Sequence, residues 1–326
     1  MLPPATERPW LVADIGGTNA RFALVDAPGA APRDIQVVPT AEHAGPVEAA
    51  MHYLASVGVH PLRAAFAVAT AVQGDQVAFT NSPWNFSRKQ ACGQLGLDEL
   101  LVINDFEALA LALPRLQPSQ LRAHGILPDR TGATLAVVGP GTGLGVAGVM
   151  KAGRQWLAIA GEGGHATMAA CDEFEATVIA HARQHFEHVS AERLLAGTGL
   201  PHLHQGVARA LGVPAPELTA AQIVESGVKG TDAVCVRTLD TFCAMLGSFA
   251  GNVALTLGAR GGVFVGGGIV PRMADLFFAS RFRERFVAKG RFRAYLEGVP
   301  TALIVEPFAA LVGGAAALQA AGPSAG

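Results

Sequence analysis

The sequence predicts a two-lobed α/β fold in which two glycine-turn hairpins present backbone amides to a ligand. Three observations carry that expectation. Strand-like apolar runs are followed by helix-like patterns, a glycine-rich hairpin recurs 124 positions after its first appearance, and 326 residues exceed the usual size of a single core. Two lobes make a cleft available for a ligand.

The first strand is expected at residues 11–15 (LVADI), which run into Gly16-Gly17-Thr18-Asn19 before residues 22–25 (FALV) resume strand-like composition. The second copy is residues 135–149, LAVVGPGTGLGVAGV. Shifted by 124 positions, Leu11, Gly17, Thr18, Ala23 and Val25 match Leu135, Gly141, Thr142, Ala147 and Val149, which suggests a duplicated domain. Further strands are expected at residues 64–69, 100–103 and 262–265, and helices at 107–113, 173–188 and 232–257. Pro114, Pro118 and Pro128 interrupt the pattern, placing the lobe boundary within about 115–130 and the lobes at 1–117 and 118–304. Residues 26–33 read as a surface loop, and the tail after Ala321 as a frayed end.

Composition limits the partners. Half of the residues are hydrophobic and 15% are charged, enough apolar material for a sizeable core. With 24 basic and 26 acidic side chains the formal charge is -2, and no Lys/Arg run forms an electrostatic footprint for nucleic acid. The segment MLPPATERPW lacks a basic-then-apolar leader, and no apolar stretch free of glycine clusters is read as long enough to span a membrane. A cytoplasmic protein without nucleic-acid or membrane partners is expected. Cys92, Cys171, Cys235 and Cys243 form no CxxC or CxC pair and read as buried thiols in a reducing compartment.

A nucleoside triphosphate is bound by backbone N–H groups where no β-carbon obstructs the approach. Gly16 and Gly17, and Gly139, Gly141, Gly143 and Gly145, meet that need, and Thr18 and Thr142 add hydroxyls at matching points. A single glycine turn usually only joins two strands; two related turns argue for more. Asp14 before the first turn would repel phosphates unless a bridging Mg²⁺ intervened. Neither turn is a GxxxxGK[ST] loop, and GPGTGLG fits GxGxxG only loosely. Gly266-Gly267-Gly268 is a third cluster, where the chain could pass close to an adenine ring.

The strand at residues 100–103 ends at Asn104-Asp105, and ligands bind at strand C-termini in open α/β sheets. Asp105 can accept a hydroxyl proton in phosphoryl transfer, or simply cap the following helix. Asn104 offers a donor and an acceptor to a sugar hydroxyl. Gly161-Glu162-Gly163-Gly164-His165 sets an acid and an imidazole among glycines, exposing both at the expense of local packing, as a sugar-reading loop requires. His181, His185 and His188 read as a polar helix face rather than a metal site.

In order and spacing, ADIGGTNARFAL, TNSPWNF, INDFEALALALP, GPGTGLGVA, GEGGHATMA, HVSAERLLAGTGL, GGVFVGGGIVPR and KGRFRAYL resemble the bacterial glucokinases of the hexokinase/actin-like ATPase superfamily. The resemblance covers nearly the whole chain and implies a ribonuclease H-like duplicated fold with β-hairpin phosphate loops. It implies ATP and Mg²⁺, glucose contacts from Asn104, Asp105, Glu162, His165 and Glu192, and Asp105 as the base that activates the 6-hydroxyl. It further implies that Asp14, Ile15, Gly16, Gly17, Thr18, Asn19, Gly139, Gly141, Thr142 and Gly143 hold the phosphates, and that Gly266, Gly267 and Gly268 border the adenosine. From its own residues, Ser190 to Arg193 reads first as a helix start with its cap, so Glu192 enters only through the resemblance. A C-terminal helix within 305–326 packing on the first lobe, lobes closing over the sugar, and a homodimer are implied likewise. Pro140 and Thr198 stand where relatives often carry a small residue and a proline. The scattered cysteines differ from the zinc-binding repressor/ORF/kinase group. Residue identities leave the hexose open among glucose, fructose, mannose and glucosamine, and the donor open among ATP, ADP and polyphosphate. A sugar sensor without turnover and an actin-like ATPase of assembly are the rival classes.

Overall fold

The computed structural model describes residues 8–79 and 83–322; the first seven residues, Thr80 to Ser82 of the TNSPWNF stretch, and the tail beyond Gly322 lie outside the described residues. The chain opens with β1 (Trp10–Ile15), β2 (Asn19–Val25), β3 (Arg33–Pro39), α1 (Pro46–Val57), β4 (Arg63–Val68), β5 (Gln76–Ala78), β6 (Asn85–Ser87), α2 (Arg88–Gln94), β7 (Glu99–Asn104) and α3 (Asp105–Ala112). Next come β8 (Leu121–Ala123), β9 (Leu135–Pro140), β10 (Leu144–Ala152), β11 (Gln155–Ile159), α4 (Glu173–Ala182), α5 (Glu192–Leu195), α6 (Leu200–Leu211), α7 (Ala220–Lys229) and α8 (Ala233–Leu257). The chain closes with β12 (Gly262–Val265), α9 (Ala274–Ala279), α10 (Phe282–Val287), α11 (Arg293–Glu297), β13 (Thr301–Ile304) and α12 (Ala309–Ala321). These elements form two compact units: residues 1–116, 151–160 and 307–326, and residues 117–150 and 161–306.

The sheet of the first unit runs β3-β2-β1-β4-β7, with β1 antiparallel to β2 and parallel to β4. β1 and β4 are covered on both faces, which is why they read as continuous apolar runs rather than alternating ones. Leu11, Ala13 and Ile15 pack with Phe22, Tyr53 and Phe66 on one face. Val12 and Ala65 pack with Leu311, Ala315 and Leu318 of α12 on the other, the period-2 division that a strand imposes.

The strands of the second unit include the run β10-β9-β12-β13-β8. β9 and β10 form an antiparallel hairpin, and β12 and β13 follow in parallel. The order β2-β1-β4-β7 of the first unit therefore recurs as β10-β9-β12-β13. The hairpin registers differ by one residue: Leu11 faces Leu24, whereas its counterpart Leu135 faces Val149, the counterpart of Val25. The second turn is accordingly shorter, with Pro140 facing Leu144 across three residues and Ile15 facing Ala20 across four.

Three expectations need correction. α8 is 25 residues long and apolar enough to span a membrane by length and composition, and 72% of its apolar window is buried inside the protein. It is the core helix of the second unit, hydrophobic on most sides because most sides are packed. Its Thr238, Thr241 and Ser248 hydroxyls donate to the carbonyls of Val234, Arg237 and Ala244, so no polar group is stranded. Cys171 is exposed and Cys92 half-buried, because one precedes the cap of α4 and the other lies in the last turn of a surface helix. Burial holds for Cys235 and Cys243, whose thiols it pushes up to about 11 and about 12. α4 stops at Ala182, so His181, His185 and His188 share no helix face. Instead the His181 and His185 rings meet edge-to-face with centroids 5.1 Å apart, and His188 Nε2 lies 3.0 Å from Thr167 Oγ1.

Candidate active site

The first turn begins where β1 ends. Asp14 sits opposite Arg21 in the β1/β2 ladder, and Arg21 Nη1 donates to Asp14 Oδ2 at 2.9 Å. Burial raises the Asp14 pKa above its ordinary 3.8, and the attraction of Arg21 only partly offsets that. A carboxyl with a raised folded pKa contributes stability below its unfolded pKa and loses it as pH rises through the folded value. Asp14→Asn is therefore expected to unfold at a higher temperature than the parent at pH 8, with the difference shrinking towards pH 4. Melting curves across that range check it; a variant less stable at pH 8 than at pH 4, relative to the parent, would contradict the burial argument.

In both turns the carbonyls at matching positions are held by other residues. Thr40 donates through Oγ1 to the Gly17 carbonyl at 2.8 Å and through its backbone N–H to the Thr18 carbonyl at 2.9 Å. Gly197 N–H donates to the Gly141 carbonyl at 2.8 Å, and Thr198 Oγ1 to the Thr142 carbonyl at 3.3 Å. No peptide among the described residues is cis, so each N–H points opposite to the carbonyl of the same peptide unit. Pinning these oxygens turns the amides of Thr18 and Asn19, and of Thr142 and Gly143, away from the clamps. Each turn thereby presents two adjacent backbone N–H groups on the face away from its clamps.

The third glycine cluster lies against the second turn. Gly266 N–H donates to the Val138 carbonyl at 2.9 Å and Ile269 N–H to the Pro140 carbonyl at 3.2 Å. Gly267 has φ +77, and a β-carbon there would sit 2.3 Å from the Pro140 carbonyl oxygen. Gly267→Ala meets both a left-handed backbone penalty of about 1–2 kcal/mol and a backbone clash. It is expected to lower the melting temperature and raise KM for the nucleotide roughly tenfold, the effect of about 1.4 kcal/mol at the turn. An unchanged nucleotide KM with normal stability would refute the coupling of the two glycine segments.

Asn104 ends β7 and Asp105 begins α3. Asp14 and Ile103 flank Ala67 of β4 in register, so the C-terminal ends of β1 and β7 lie two strand spacings apart, about 10 Å. The helix cap is Asn104, whose Oδ1 accepts from Phe106 N–H at 2.9 Å and Glu107 N–H at 3.3 Å. Its Nδ2 donates to the Thr70 carbonyl at 3.2 Å, so most of its hydrogen-bonding capacity serves the fold. The capping role open to Asp105 thus belongs to its neighbour. Asp105 Oδ1 accepts from Phe106 N–H at 2.9 Å.

In the second unit Glu162 and His165 are exposed. The glycines between them do not sacrifice packing. A β-carbon at Gly164 would lie 1.9 Å from the Leu144 carbonyl oxygen and one at Gly163 would lie 2.9 Å from Val146 Cβ, so the loop is glycine-rich because it lies flat on β10. Glu192 opens α5; its Oε1 is 4.0 Å from His165 Nδ1, and its Oε2 accepts from Leu144 N–H at 2.9 Å.

The glucokinase family model matches residues 11–321. The chain belongs to the glucokinase family. It is 46% identical over 313 residues to a glucokinase of Aromatoleum aromaticum, covering 95% of each chain. Among solved structures it is similar to a glucokinase from an Antarctic psychrotroph, with 39% identity, a TM-score of 0.88, and coverage of 96% of this chain and 99% of that one. A ROK family glucokinase from Streptomyces griseus, described in complex with glucose and AMPPNP, shares the fold at 20% identity and a TM-score of 0.58, over 94% of this chain and 98% of the other. As a member of the glucokinase family the chain is an ATP-dependent sugar kinase.

Sequence reasoning gave no role to four residues that hold the strand end and the two turns, Arg21, Thr40, Gly197 and Thr198. Arg21 was legible in principle, since a cation near a strand-end aspartate is a candidate cross-strand partner. Thr40 and Gly197 carry no local signal. Thr198 stands out in the sequence only as a departure from the usual proline, and the hydroxyl it brings is what reaches Thr142.

Proposed function

We propose that this chain transfers the γ-phosphoryl group of Mg·ATP to the 6-hydroxyl of glucose, with Asp105 as general base. Beyond membership of the family, one observation supports the reading: two glycine turns, each with its carbonyls clamped and its following amides turned away. Such fixed donors stabilise charge on transferring phosphoryl oxygens without reorganisation. Asp14, Ile15, Gly16, Gly17, Thr18 and Asn19 form one phosphate-binding group, and Gly139, Gly141, Thr142 and Gly143 the other, two descendants of one hairpin. Gly266, Gly267 and Gly268 border the adenosine. Asn104, Glu162, His165 and Glu192 read the sugar hydroxyls.

In the reaction, Asp105 accepts the 6-hydroxyl proton as that oxygen attacks the γ-phosphorus. The new O–P bond forms while the bond to the bridging oxygen breaks, and ADP leaves with the electron pair. Among the described residues no cluster of three acidic, His or Cys side chains could hold a metal by itself. Asp14 Oδ1 has no hydrogen bond among them, and one such oxygen suits Mg²⁺, which takes one or two carboxylates and completes its shell with phosphate and water. When bound, that ion neutralises charge on the phosphates. A cytoplasmic homodimer belongs to the same reading and rests on the family alone.

A coupled assay over hexoses and phosphoryl donors tests the proposal. Glucose 6-phosphate should form from glucose and ATP, and chelation of Mg²⁺ should stop it. Calorimetric glucose binding without any phosphorylated product would instead favour a sugar sensor.

A further inference from the structure

The segment from Glu192 to Thr198 does more than carry a sugar-reading carboxylate. Three hydrogen bonds tie it to the second turn: Glu192 Oε2 accepts from Leu144 N–H at 2.9 Å, Gly197 N–H donates to the Gly141 carbonyl at 2.8 Å, and Thr198 Oγ1 donates to the Thr142 carbonyl at 3.3 Å. The fit leaves no slack. A β-carbon at Gly143 would lie 2.5 Å from Glu192 Oε2, and one at Gly197 would lie 3.1 Å from the Gly141 carbonyl oxygen. Leu144 is buried, so its N–H has no water to turn to if the carboxylate is withdrawn. The other oxygen, Oε1, faces His165 at 4.0 Å.

We propose that Glu192 is a positioning residue for the nucleotide turn as well as a reader of sugar: Oε2 fixes the backbone of Gly141 to Leu144, while Oε1 addresses the sugar side with His165. One carboxylate then serves both substrates. The inference rests on the kinase reading above and makes a claim that reading does not, namely that Glu192 governs nucleotide affinity in the absence of sugar.

The substitutions separate the two roles. Glu192→Gln keeps a carbonyl oxygen of similar reach for Leu144 N–H and loses the charge, whereas Glu192→Ala removes both. Binding of AMPPNP with Mg²⁺ to sugar-free protein is measured by calorimetry, and glucose KM by the coupled assay. Glu192→Ala should weaken AMPPNP by roughly tenfold or more, the scale of a lost hydrogen bond to a charged group. Glu192→Gln should restore AMPPNP affinity to within about threefold of the parent while glucose KM stays well above it. If Glu192→Ala does not fold, Glu192→Asp takes its place, since a carboxylate one methylene shorter cannot span the distance to Leu144 N–H; weaker AMPPNP binding again supports the role. AMPPNP affinity unchanged in the folded Ala or Asp variant, with glucose KM raised, overturns the inference and leaves Glu192 a sugar ligand only. A parent protein that does not bind AMPPNP at all overturns the kinase reading itself, and the inference with it.

Discussion

Asp105→Asn is expected to lower kcat for glucose phosphorylation by about 10²- to 10⁴-fold, the range for removing a general base. KM for glucose and ATP should change far less, because the amide keeps the shape and a hydrogen-bonding oxygen. The fold should tolerate the change. Asn104, not Asp105, supplies the cap of α3, with its Oδ1 on the Phe106 and Glu107 amides. What Asp105 gives the helix is an acceptor for Phe106 N–H, which the amide oxygen of Asn retains, and a negative charge in the first turn, worth about 0.3–1 kcal/mol. Initial rates in the coupled assay, paired with a melting curve, separate chemistry from stability. A variant within tenfold of the parent kcat would falsify the assignment of Asp105 as the base.

Gly313→Ala should destabilise the first unit by about 1–3 kcal/mol or more and depress turnover with it. A β-carbon at Gly313 would lie 1.7 Å from the Ala108 carbonyl oxygen and 2.4 Å from its carbonyl carbon, so α12 touches the backbone of α3 and no side chain can move aside. Alanine gains about 1 kcal/mol over glycine in a helix interior, which the backbone clash exceeds. The displaced element is α3, which begins at Asp105 with Asn104 as its cap, so kcat should fall alongside the melting temperature. Its neighbour supplies the control. At Gly314 a β-carbon would meet Ala65 Cβ at 3.6 Å, ordinary contact, so Gly314→Ala should be neutral or stabilising by up to about 1 kcal/mol. If both variants melt alike, the close approach of the two helices is not what the glycine serves.

The strands around the turns were readable because burial on both faces leaves a run of apolar residues: the runs at 11–15, 64–69, 100–103 and 262–265 coincide with β1, β4, β7 and β12 to within a residue or two. Helix ends were less readable. The pattern through His188 outlasts α4 by six residues, because only Phe186 among residues 183–188 is partly buried and no continuous apolar face holds a further helical turn against the core. The glycines at 163 and 164 were legible as a special loop but not for the right reason, since their packing against Leu144 and Val146 depends on a strand about 20 positions earlier in the chain.

The sequence by itself determined where glycine allows close approach at the two turns, that an acid follows the strand at residues 99–104, and, through its motifs, which family the chain resembles. Those are local properties, set by β-carbon sterics and by runs of apolar side chains. Tertiary structure alone decided that Asn104 is the cap, that Arg21 partners Asp14, that Thr40 and Thr198 pin the turn carbonyls, and that Glu192 grips Leu144. Most of these are hydrogen bonds between residues 23 to 56 positions apart, and no periodicity along the chain records which distant donor a carbonyl will meet. The direction in which an amide faces is settled by the partner of the adjoining oxygen, and that partner exists only once the chain has folded.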